Sequence, residues 1–237
     1  MNIRAILKSW LSGPAPAQLP LGLDAAAQLE AYQASLAEGF RGAASESERF
    51  LRQYGEFTAF LYRPDFDLFL RRQVLFFRQP GEEEKPFLYE SHWLKKHPFN
   101  FPGPFYAGES DTCGTGIGEA PENVVIDGLG CEYIFRQPVN YYELLCVLNA
   151  AEIETVNGYA ADGNQQWTYA ACRQWWRSRP ELLHDLSRPE VVAANDGQAQ
   201  RYAEYLQGEA EMDLRRYCYF LENGTYPPAA STALPAL

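Results

Sequence analysis

The sequence predicts an α+β fold, mainly helical, in which helices from both ends of the chain pack around a small antiparallel sheet from the middle. Three observations predict it. Apolar residues recur at helical spacing before residue 80 and again after residue 138, and the stretch between them loses that period and fills with Gly, Pro and aromatic residues. Within that stretch, Val124-Val125-Ile126 and Cys131-Glu132-Tyr133-Ile134-Phe135 flank the turn residues Asp127-Gly128-Leu129-Gly130, which is a hairpin signal. At 237 residues and 46% hydrophobic, the chain has enough apolar material for a sizeable core, which excludes wholesale disorder.

Taken in order, residues 1–11 read as an amphipathic helix, because Lys8 interrupts an apolar region too short for a signal peptide. A proline-bearing linker over 13–20 follows. Asp24 then caps a helix carrying Leu29, Tyr32, Leu36 and Phe40. Ser45 and Glu48 have capping-box spacing and open a helix with Phe50, Tyr54, Phe57 and Leu61 on one stripe, which Pro64 ends. Over 65–79, Phe66, Phe69, Leu70, Val74 and Phe77 favour a helix, with a buried strand at Val74-Leu75-Phe76-Phe77 as the alternative.

Beyond the hairpin, Asn140 and Glu143 have N-cap and N3 spacing for a helix to about Ile153. Thr168 starts another through Trp175 and Trp176, Pro180 suits a first helical turn, and Pro189 ends that piece. Tyr202, Leu206, Ala210, Leu214, Tyr217 and Leu221 predict one last long helix stopped by Gly224. The expected organisation is a single domain over 1–225, helical in 1–80, loop-rich with the hairpin in 81–137 and helical in 138–225. A flexible tail over 226–237 completes it.

Thirty-one Asp and Glu against 20 Lys and Arg leave a formal charge of −11. That field repels phosphate backbones and anionic lipid surfaces and attracts basic partners, so nucleic-acid and membrane binding are not expected. No apolar run is long enough to span a bilayer. Cys113, Cys131, Cys146, Cys172 and Cys218 are odd in number, without a C-x-x-C pair, which suits a reducing cytoplasm better than a disulfide framework. Oligomeric state is not legible.

The order Gly103-Pro104-Phe105-Tyr106, Gly108-Glu109-Ser110-Asp111-Thr112-Cys113, Arg136-Gln137-Pro138, Gly158-Tyr159, Asp162-Gly163, Trp167-Thr168 and Trp175-Trp176 resembles a family of bacterial proteins with no established activity. The resemblance covers about a third of the chain. It implies a bacterial cytoplasmic origin and transfers no catalytic role.

Two constellations carry chemistry. Cys113 lies beside Gly114, Gly116 and Gly118, so a thiolate there would face backbone N–H groups able to hold an oxyanion, with His92 or His97 as its base. The bland reading is a glycine-rich turn with a packed cysteine and packed histidines. Those glycines make neither a dinucleotide fingerprint nor a P-loop, and no Cys/His set has zinc spacing, so no cofactor and no metal are expected. The other constellation is aromatic: Trp167, Trp175, Trp176 and Tyr159 with Asp162 supply a hydrophobic anchor and acidic rim suited to a basic protein surface. Adjacent Trp175 and Trp176 point about 100° apart on a helix, so at least one of them belongs to the core. The leading expectation is protein–protein binding, in the manner of an immunity-type factor that neutralises a basic toxin. The alternatives are a cysteine-dependent hydrolase or transferase, and a small-ligand binder with a pocket near Trp93, Phe101, Phe105 and Tyr106.

Overall fold

The computed structural model of the protein describes residues 46–75, 88–228 and 232–237. The helices expected over 1–11 and after Asp24, the linker between them and the Ser45 cap lie outside these residues.

The stripe from Phe50 to Leu61 forms two helices, α1 (46–54) and α2 (Phe57–Leu61), where one was expected. Gly55 sits at φ +79°, a left-handed conformation that stops α1. Glu56 then restarts the helix, its carboxylate accepting from Thr58 N at 3.0 Å and Ala59 N at 2.8 Å. The next segment is helical, α3 (Phe66–Phe69) running into a π-helical turn at Leu70–Val74, where Leu75 N donates to Leu70 O at 2.9 Å. Phe60 binds the bundle together by meeting Phe66, Phe69 and Tyr141 edge-on at 5.8, 5.5 and 5.2 Å.

The middle holds two small antiparallel sheets. Strands β1 (Tyr106–Ala107) and β4 (Tyr159–Ala160) pair with Tyr106 opposite Ala160, and β2 (Val124–Ile126) pairs with β3 (Glu132–Ile134) with Val125 opposite Tyr133. The hairpin was expected from sequence; the β1–β4 pair, joined across more than 50 residues, was not. Strand alternation explains the layering. Val124 and Ile134 face one core, shared with the N-terminal helices and α5 (Tyr141–Ile153), while Val125 and Tyr133 face a second core of C-terminal helices. The sheet thus lies between helices from the two ends of the chain, as the α+β reading predicts. A short helix, α4 (Thr115–Glu119), packs on α5. Asn140 caps α5 as its spacing requires, with Oδ1 accepting from Glu143 N at 2.9 Å.

Helix α6 (Gly163–Gln166) leads to α7 (Tyr169–Arg177), whose cap Thr168 accepts from Ala171 N at 3.2 Å. Pro180 lies in the first turn of α8 (Arg179–Leu186). That helix stops at Leu186, short of Pro189, and Pro189 also opens a further one, α9 (Pro189–Ala194), because its missing N–H costs nothing at a first helical position. The expected last long helix is also two, α10 (Gln198–Gln207) and α11 (Ala210–Asn223), separated at Gly208. The apolar stripe crosses that break unchanged, so its period alone does not reveal it.

The terminal segment lies against the C-terminal helices. Arg215 donates from Nε to Pro235 O at 2.9 Å and from an Nη to Leu234 O at 3.0 Å, the Tyr169 hydroxyl donates to Ala236 O at 2.5 Å, and Leu237 packs on the second core. Earlier in the tail, Tyr226 stacks on Tyr62 with centroids 4.5 Å apart. No helix among the described residues is long and apolar enough to cross a membrane.

Candidate functional site

The loop-rich middle is organised by buried side-chain amides, each of which stands in for a peptide group. Asn100 is fully buried and makes four bonds. Its Nδ2 donates to His97 O at 2.8 Å and Ala107 O at 2.7 Å, and its Oδ1 accepts from Ala107 N and Ile134 N, both at 2.9 Å. That saturates the amide and ties the 97–100 loop to β1 and β3. Gln137 does the same for the turn before β1, accepting from Phe105 N at 3.1 Å and donating to Phe101 O and Phe105 O. Asn195 extends the edge of β2 that faces away from β3, exchanging 2.8 Å bonds with Ile126 N and Ile126 O. Long irregular backbone is therefore held in place without a large sheet.

On this frame stand two loops with apolar tips. Leu94, in a 3₁₀ turn at Trp93–Lys95, is 99% exposed, and Leu129, at the tip of the hairpin, is 81% exposed. The loops are linked: His97 Nε2 donates to Asp127 Oδ2 at 3.3 Å, and Asp127 Oδ1 accepts from Leu129 N at 2.8 Å and Cys131 N at 2.9 Å. The direction of the first bond follows from His97 Nδ1, which accepts from Phe99 N at 3.2 Å and so leaves the proton on Nε2. Burial holds the His97 pKa below its ordinary value, although Asp127 pulls it the other way. The imidazole is also stacked on Tyr133 at 4.5 Å, the packed arrangement that the bland reading describes. Lys95 Nζ meets Glu109 at 2.8 Å beside the same face.

Cys113 is exposed, and the structure brings no imidazole to it. Its backbone N donates to Asp111 Oδ1 at 2.8 Å. The groups acting on its thiol are carboxylates, first Asp111 and then Glu132 and Glu154, and they push its pKa up. A thiolate is thus disfavoured where a nucleophile needs it favoured. The His92 ring makes no hydrogen bond to any described residue, and His97 is engaged as above. Among the described residues, no group of three or more His, Cys, Asp or Glu side chains is arranged to hold a metal ion.

The aromatic constellation lies mostly in the interior. Trp175 is 7% exposed, donates from Nε1 to Pro98 O at 3.1 Å and meets Phe101 edge-on at 5.3 Å. Trp167 is buried edge-on to Trp93 at 5.0 Å. Tyr159 is buried and donates to Glu132 Oε2 at 2.6 Å, while buried Asp162 accepts from the Tyr106 hydroxyl at 2.7 Å. Only Trp176 among the three tryptophans is half-buried, with the Arg179 guanidinium 4.2 Å from its ring centroid. In the small-ligand constellation, Phe101, Phe105 and Tyr106 are buried, and Trp93 is packed edge-on to Tyr106 at 5.6 Å. Leu94, Leu129 and Asp127 were not singled out from sequence. The signal for Leu129 was present, an apolar residue in an otherwise polar turn; for Leu94, the turn that leaves it in water while Trp93 packs inward had to be known first.

Comparison with protein-family models, curated proteins and solved structures gives no match.

Proposed function

We propose that the chain acts by binding a basic protein through the loop face that carries Leu94 and Leu129. The observation that carries this reading is the exposure of two leucines on loops tied to one another through His97 and Asp127. A leucine in water on a pinned loop contributes nothing to the core, whereas at an interface it excludes water from neighbouring polar contacts. Asp127 borders the face, Glu109 is paired there with Lys95, and the net charge of −11 steers a cationic partner toward the molecule. A basic toxin is the partner class that fits this charge, with the chain as the immunity-type factor that occludes it. The surroundings of Cys113 give the hydrolase reading no comparable support.

The test is capture from the native host lysate on the immobilised full chain, in parallel with the L94D/L129D double variant. A basic protein retained by the wild type, released by moderate salt and lost from the variant supports the reading. No retained protein, or equal retention by the variant, removes it. Circular dichroism of the variant establishes that it is folded.

A further inference from the structure

Residues 234–237 are held on α7 and α11 through their backbone carbonyls. Leu234 O and Pro235 O accept from one guanidinium, that of Arg215 on α11, at 3.0 and 2.9 Å, and Ala236 O accepts from the Tyr169 hydroxyl on α7 at 2.5 Å. No N–H of residues 232–237 donates to a described residue. Contacts made to carbonyls alone tolerate proline, which has no N–H to offer, and Pro235 sits among them. Leu237 adds an apolar side chain packed on the second core. The donors have no competing partner. Arg215 is paired with no described carboxylate, although the chain carries 31 Asp and Glu. Arg173, one turn along α7, steadies the Tyr169 ring with its guanidinium 5.6 Å from the ring centroid, and its own Nε is buried without a partner. The two helices pack directly on one another, so Tyr169 and Arg215 keep their spacing when the segment leaves. The segment itself is lightly held, with Ala233 and Ala236 exposed, and Tyr226 is anchored separately on Tyr62.

We propose that the face shared by α7 and α11 is a peptide-binding site that takes an extended, apolar, proline-bearing segment of a partner protein, and that residues 234–237 are the internal ligand it displaces. Arg215 and Tyr169 direct N–H and O–H donors at successive carbonyls. Proline-rich strands present such carbonyls free, because they make no hydrogen bonds within themselves. Proline also reduces the entropy lost when the strand is ordered on the face. The ligand is uncharged along its side chains, as Leu234-Pro235-Ala236-Leu237 is, because the segment's contacts are donors and an apolar surface. This site is separate from the leucine loops in what it recognises: a strand by its backbone, where Leu94 and Leu129 meet a folded surface. A ligand tethered through a short linker competes at an effective concentration of about 1 mM. A free peptide therefore gains access chiefly when the internal ligand is weakened.

The test uses the full chain and a fluorescein-labelled peptide Ser-Thr-Ala-Leu-Pro-Ala-Leu, the sequence of residues 231–237, read by anisotropy. Leu237→Asp removes the apolar contact of the internal ligand and is expected to bind the peptide roughly tenfold more tightly than the wild type. In that background Tyr169→Phe, which removes one hydroxyl and keeps the ring, is expected to weaken binding about twofold to tenfold, the value of one hydrogen bond, and Arg215→Ala to weaken it further. Circular dichroism establishes that each variant is folded, and Tyr169→Phe carries the test if Arg215→Ala is not. No binding to Leu237→Asp at about 1 mM peptide, equal affinity for Leu237→Asp and the wild type, or affinity indifferent to Tyr169→Phe would overturn the assignment. So would a wild-type dimer in light scattering that Leu237→Asp abolishes, because the occupant would then be residues 234–237 of a second copy.

Discussion

Replacing Asn100 by Ala tests whether the loop frame is held by its buried amides. The substitution strands the N–H groups of Ala107 and Ile134 and the carbonyls of His97 and Ala107, all of which Asn100 satisfies in the folded chain. The carbonyls lose less, since a bond remains elsewhere: Ala107 O also accepts from His97 N and His97 O from Asn100 N. Strand register turns both donors away from the paired strand, so neither has another partner among the described residues, and a buried unpaired group costs about 1–3 kcal/mol. A loss on the order of 4 kcal/mol follows for the pair. For a chain of this length that corresponds to a fall in Tm of about 8–16 °C. Urea unfolding followed by tryptophan fluorescence reads it as a shift in midpoint at unchanged slope. Asn100→Asp is the informative companion, because it keeps both acceptor bonds and the volume but turns carboxylate oxygen toward two carbonyls. Its deficit should shrink on acidification, as protonation restores one donor. A loss below about 1 kcal/mol for Asn100→Ala would refute the reasoning, since that is the net value of a single ordinary hydrogen bond.

Three further outcomes follow from the same geometry. His97 has a folded-state pKa below its unfolded value, so the unfolded chain takes up the proton first and stability falls as pH drops below about 6.5; His97→Gln should flatten that slope in urea titrations between pH 7.5 and 5.5. Cys113 should alkylate with iodoacetamide more slowly at neutral pH than a free thiol. Asp111→Asn should move its pH–rate profile to lower pH, because the nearest negative charge is gone. Gly163→Ala would place a Cβ 2.0 Å from Gly103 O, a backbone atom, and should destabilise by about 3 kcal/mol through forced separation of the two segments; wild-type stability in thermal melts would show that they do not touch.

Local chemistry explains which parts of this fold can be read from the chain. Asn140 and Thr168 cap the helices their spacing assigns them, and the hairpin forms around Asp127 because that side chain accepts from two backbone N–H groups of its own turn. The misread boundaries share one cause. Gly55 and Gly208 interrupt helices without disturbing the apolar stripe, since both halves bury the same face, and Pro189 is equally suited to following a helix and to opening one. The β1–β4 pairing and the anchoring of residues 234–236 by Arg215 and Tyr169 depend on partners distant in sequence, which no window of local pattern contains.

The candidate site follows the same division. Composition supplied the sign of the charge, and the bland reading of His97 as a packed imidazole agrees with its stacking on Tyr133. Trp167 and Trp175 have the residue type of an interface anchor but supply the C-terminal core, because a ring that large gains most from complete burial.

The central claim is that recognition occurs at the paired loops. Amide hydrogen exchange on the full chain, alone and with the captured basic protein, addresses it most directly. Slowed exchange confined to residues 93–97 and 127–131 is the predicted footprint. Protection over 113–118, with the two leucine loops unchanged, would contradict it.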